Sequence, residues 1–121
     1  MNANSDITID VLDGFVAARS NGGEIKIKIR NPRQAIIDEV SENIYIIAGD
    51  PENEKISCYS KCGKFKFDAS APIGYAIMYL VNHSDFGASA VCGGSALVDH
   101  WYDWHFSIGS DGKLNRKCPA Y

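Results

Sequence analysis

The 121-residue chain contains no apolar run approaching the roughly 20 residues of a membrane-spanning helix, which excludes such a helix from it. It carries no excess of positive charge. Twelve Lys and Arg stand against 15 Asp and Glu, giving a net charge of −3 and a pI of about 5.5. That balance argues against nucleic acid as the main partner. The opening MNANSDITID has neither the basic start nor the apolar stretch of a signal peptide. No repeat, linker or low-complexity stretch divides the sequence, so a single domain over 7–121 is expected after a loose tail at 1–6. Gly93-Gly94-Ser95 lacks the setting of a nucleophile elbow, and no phosphate loop is present. Catalytic residues, metal ligands and cofactors are therefore not expected.

What is present begins with Ser70–His83, SAPIGYAIMYLVNH. Ile73, Ala76, Ile77, Leu80 and Val81 recur at the i, i+3, i+4, i+7, i+8 spacing of a helical stripe. Ser70 suits an N-cap and Pro72 a first turn, so this stretch predicts a helix covering a sheet. A second helix is expected after Asn31-Pro32, with Ile36, Ile37 and Val40 as its stripe and Asp38, Glu39 and Glu42 on its wet side.

The remaining chain reads as strands. Residues 7–16 suit a strand through Ile7, Ile9 and Val11, and equally a helix through Ile9, Leu12 and Val16. Asn21-Gly22-Gly23 signals a turn. In EIKIKIR, Ile25, Ile27 and Ile29 alternate with Lys26, Lys28 and Arg30, a half-buried strand. NIYIIA at 43–48 is nearly all apolar and should be a central strand. Strands follow at 55–60 and 64–68, with Phe65 and Phe67 opposite Lys64 and Lys66, then at 88–92, 102–108 and 113–118. The expected fold class is α+β: a two-layer sandwich, mostly antiparallel sheet covered by two helices.

The four cysteines, Cys58, Cys62, Cys92 and Cys118, suit two disulfides and an oxidising compartment better than zinc. Chain order pairs Cys58 with Cys118 and Cys62 with Cys92: the final strand should lie near Cys58, and Cys92 follows the helix that begins after the Cys62 strand.

From about 43 to 118 the order of motifs resembles the killer toxins of the smut-fungus viral type and the related necrosis-inducing-factor effectors. The likeness rests on ISC and KCGKFKF, on the Ile-Gly and terminal histidine of APIGYAIMYLVNH, and on AVCGGSALVD, WYDWHFSIG and GKLNRKC. NGGEIKIKIR would then match the family's early segment and be helical. The toxins are richer in cysteine, and the family's second cysteine near the histidine is missing from 84–91. The resemblance implies a secreted, disulfide-bonded, non-enzymatic protein of fungal type, an effector or virulence factor. It would act by binding a surface protein, channel or wall component of a host or competitor cell.

For such binding, Lys26, Lys28, Lys64 and Lys66 are the candidate residues, as a cationic patch on an acidic protein. The plain alternative is solvated strand faces whose lysines block edge pairing. Trp101, Tyr102 and Trp104 would add an aromatic anchor, although alternation puts Trp104 in the core. His100 and His105, with Asp99 and Asp103, would fall on opposite faces of a strand and would not share a metal. Two alternative functions remain. One is a ribonuclease-like hydrolase using His83 and His105 with Lys64 or Lys66. The other is a bacterial immunity or inhibitor protein, whose cysteines would be reduced.

Overall fold

The computed structural model describes residues 7–20 and 22–120. Residues 1–6, the expected tail, and Asn21 of the expected turn lie outside them. The described residues form eleven antiparallel strands and no helix. β1 (Thr8–Leu12), β2 (Phe15–Ser20) and β3 (Gly23–Lys28) make a first sheet. β4 (Pro32–Ile37), β5 (Ile44–Ala48), β6 (Lys55–Tyr59) and β7 (Phe65–Ser70) make a second. β8 (Tyr75–His83), β9 (Gly87–Val98), β10 (Trp101–Ile108) and β11 (Leu114–Pro119) make a third. In each sheet the strands pair in chain order as a meander.

The second sheet is the middle layer, and its alternation shows it. Ile44, Ile46 and Ala48 of β5 pack with Val16, Ala18 and Ile27 of the first sheet. Tyr45 and Ile47, the intervening residues, pack with Ile77, Leu80, Trp104 and Phe106 of the third. All five β5 residues are buried, as expected of a central strand with apolar side chains on both faces. Each buried isoleucine contributes roughly 1.5–3 kcal/mol before entropy is subtracted.

This overturns the α+β sandwich. Both expected helices are strands, and each has a physical reason. At 32–37, proline takes the first position of an edge strand, where it forfeits no ladder bond that matters, and β-branched Ile36 and Ile37 favour the pleat. At 75–83, Met78 is a bulge: Ile77 pairs with Cys92 and Tyr79 with Val91, leaving Met78 extra. A bulge shifts the phase of alternation, so Ile77 and Leu80 both reach the core. Their i, i+3 spacing imitates a helix. The remainder of the supposed stripe is not buried: Ile73 is fully exposed and Ala76 is exposed.

The strand reading of 25–28 holds, as do those of β5, β6, β10 and β11. The strand expected at 88–92 is longer, running from Gly87 through Gly93-Gly94 to Val98. A second bulge, at Lys66, sets Phe67 against Tyr45 on one face of the middle sheet and Phe65 against Tyr59 on the other. The two phenylalanines were expected to point the same way.

Candidate functional site

None of the four cysteines is in a disulfide. Cys58 and Cys92 face the core between the middle and third sheets and are fully buried. Cys118 pairs with His105 across β10 and β11, and that histidine alternates with the core residues Trp104 and Phe106, so both lie on the outer face of the third sheet. Cys62 is exposed in the β6–β7 turn. Alternation thus puts Cys58 and Cys118 on opposite sides of the third sheet, and Cys62 and Cys92 at surface and core. Neither expected disulfide forms, and the cysteine count loses its force as an argument for an oxidising compartment.

The four candidate lysines divide between two sheets. Lys26 and Lys28 are exposed on β3, and Lys64 and Lys66 are exposed at the start of β7. Lys26 is already engaged, 3.9 Å from Glu24 and over the Phe15 ring at 5.5 Å. Trp104 is core, as alternation implied, and Tyr102 is about half exposed.

His83 and His105 do meet, their ring centroids 5.0 Å apart and edge-on. Phe86 stacks on His83 at 4.1 Å. The Asp85 N–H donates to His83 Nδ1 at 3.0 Å, so the neutral ring carries its proton on Nε2, which lies 3.7 Å from Cys118 Sγ. His105 Nδ1 lies 3.1 Å from the buried Ser89 hydroxyl. Burial, and secondarily His83, lowers the pKa of His105 and favours its neutral form. Lys64 and Lys66 sit on the middle sheet, away from this outer face, so they do not complete a phosphate site with the histidines. His100 belongs to the β9–β10 turn, where it and Asp99 have positive φ of 72° and 47°. Among the described residues, no group of three or more His, Cys, Asp or Glu side chains is arranged to hold a metal.

A different place has the shape of a binding site. A cleft of about 410 Å³ opens between the first and middle sheets, within the range of small-molecule pockets. Ile37 and Ile44 of the middle sheet, Ile25 and Ala18 of the β2–β3 hairpin, and Ile7 line it with aliphatic surface. Gly22 and Gly23 of the hairpin supply no side chain over the half-buried Ile37, while Ile44 beneath is core, and the space above Gly23 is open. Lys61 and Cys62 of the β6–β7 turn close the far side. That turn is well fixed. The Ser60 N–H donates to the Lys64 carbonyl at 2.8 Å, and the Gly63 N–H to the Ser60 carbonyl at 2.9 Å. The Ser60 hydroxyl accepts from the N–H groups of Cys62 and Lys64. A Cβ at Gly63 would sit 3.6 Å from Ile25 Cδ1, so turn and hairpin are in contact range.

The rim is charged and internally paired. Lys61 lies 3.2 Å from Glu42. Arg19 bonds Glu24 and lies 3.1 Å from Asp10. The hydrogen bond from Arg19 holds the Glu24 carboxyl below its ordinary range. Sequence reasoning missed the cleft. Its isoleucines alternate as core residues do, and nothing in the residues alone shows that two sheets part above them.

No helix of the described residues is long and apolar enough to cross a membrane. No family model, curated protein or solved structure matches the chain.

Proposed function

We propose that the protein is a non-enzymatic binding protein that takes a small molecule in the cleft between the first and middle sheets. The observation that carries this reading is a concave aliphatic surface of half-buried Ile7, Ile25 and Ile37, walled by a hydrogen-bonded turn and a hairpin. A folded protein leaves such surface uncovered at a cost, and concave apolar surface with a few polar groups is the usual form of a ligand site. The target-cell binding implied by the toxin resemblance gains no support from an all-β stack with free thiols, so the reading rests on the cleft instead.

The test is nuclear magnetic resonance of protein labelled at the isoleucine δ1-methyls, titrated with a fragment library of aliphatic, aromatic and sugar compounds. Binders should move Ile25, Ile37 and Ile44 and leave Ile47 and Ile56, in the other core, unmoved. Ile25→Trp, which fills the cleft, should abolish those shifts. If no compound of any class moves the cleft methyls, the proposal is wrong.

A further inference from the structure

From the chemistry of the cleft we infer the class of ligand: an unbranched or lightly branched aliphatic molecule with an uncharged, hydrogen-bonding head. The inference rests on the cleft being a ligand site, and it adds what that ligand is. Two features decide it. The first is the lining. Ile7, Ile25, Ile37 and Ile44 are aliphatic, and among the described residues no aromatic side chain lines the cleft. Aromatic rings and sugar faces are ordinarily met by stacking on aromatic side chains, and no such platform is offered here. Aliphatic chains need only surface removed from water.

The second feature is the rim. Lys61 is matched by Glu42, and Arg19 by Glu24. One cation against one anion on each side leaves the described rim neutral. A carboxylate head entering the cleft must displace Glu42 or Glu24 from its cation, and an ammonium head must displace Lys61 or Arg19 from its anion. Either exchange replaces one ion pair with another and adds the desolvation of the incoming charge. An alcohol, ester or amide head pays no such cost. An alcohol or primary or secondary amide head can donate to Glu42, whose side chain is one-quarter exposed, and an ester can accept from Lys61, without breaking the pair.

The experiment titrates 1-octanol, octanoate, octylammonium and 2-phenylethanol into the full chain at neutral pH, following the same isoleucine methyls. Octanol should bind more tightly than octanoate and octylammonium by at least about fivefold, the equivalent of a surface pair's worth of about 1 kcal/mol. Octanol should also bind more tightly than 2-phenylethanol. Glu42→Gln frees Lys61, and this variant should gain octanoate affinity while octanol is nearly unchanged. The inference is overturned if octanoate, octylammonium or 2-phenylethanol matches octanol in the native protein, or if Glu42→Gln leaves the octanoate preference where it was. These failures still show a ligand in the cleft. If none of the four compounds moves the cleft methyls, the cleft is not a ligand site and the broader reading falls with this one.

Discussion

Asp38 shows how much one residue can hold in this fold. It is 8 % exposed at the end of β4. Its Oδ1 accepts from the N–H groups of Val40 and Ala88, and its Oδ2 accepts from the Ser41 hydroxyl at 2.7 Å. One carboxylate therefore ties the β4–β5 connection to the start of β9, on another sheet. The approach requires Gly87. Its φ is +75°, and a Cβ there would lie 2.5 Å from Asp38 Oδ1. Gly87→Ala should cost about 1–3 kcal/mol in backbone strain and up to about that again through displaced hydrogen bonds. Urea denaturation checks this through a lower midpoint at unchanged slope. In an Asp38→Ala background the same substitution should cost less, because the two positions share one contact.

Among the elements, β4 and β8 are joined by side chains where a backbone ladder is missing. Both are edge strands of different sheets. Gln34 accepts from the Leu80 N–H at 2.6 Å and donates to the Leu80 carbonyl at 2.7 Å, an amide standing in for a neighbouring strand. Arg33, held by Glu54, donates to the carbonyls of Ile77 and of Met78, the bulge residue. Asn82 donates back to the Ile37 carbonyl and accepts from the Glu39 N–H. Gln34→Ala removes both Leu80 bonds, worth about 1 kcal/mol each. Native-state hydrogen exchange should show the Leu80 amide exchanging faster, with amides of β5 protected as before. Unchanged exchange at Leu80 would mean that the bridge contributes nothing.

For the molecule as a whole, titration bounds stability on both sides. Burial lowers the folded pKa of His105, so below its unfolded value of about 6.5 the unfolded chain takes up a proton that the folded chain resists. Stability should therefore fall as pH drops below about 6.5, and His105→Gln should flatten that limb. On the alkaline side, burial pushes Cys92 up to about 12 and raises Cys58 and Tyr45 as well. A raised folded pKa keeps its contribution below the unfolded value, near 8.5 for a thiol, and loses it as pH climbs toward the folded one. Stability should decline from about pH 8.5 upward, and Cys92→Ala should soften the decline while lowering the plateau. The same burial orders the thiols. Mass spectrometry after brief alkylation of native protein should find Cys62 modified first and Cys118 more slowly, with Cys58 and Cys92 modified only on unfolding. Reductant should leave the melting temperature unchanged.

The residues by themselves determined where chain meets water. Alternation in WYDWHF marked a strand and its buried face, because a two-residue period has one solution against a single apolar surface, and the all-apolar IYIIA marked a strand buried on both faces. The short connection left between the strands at 55–60 and 64–68 was equally legible, since the chemistry of a tight turn is local. Only tertiary structure decided the identity of 32–37 and 75–83. A bulge at Met78 gave a strand the spacing of a helix, and a bulge is chosen by the partner strand, here β9, which no local pattern contains. The cysteines followed from the same cause: once 75–83 is extended, Cys92 faces the core and Cys118 the outer side, and chain order stops predicting pairing. The cleft was least legible of all. It exists because the first sheet stacks on the middle one and two glycines of the β2–β3 hairpin lie over it, a relation between elements carried by residues that each look like ordinary core.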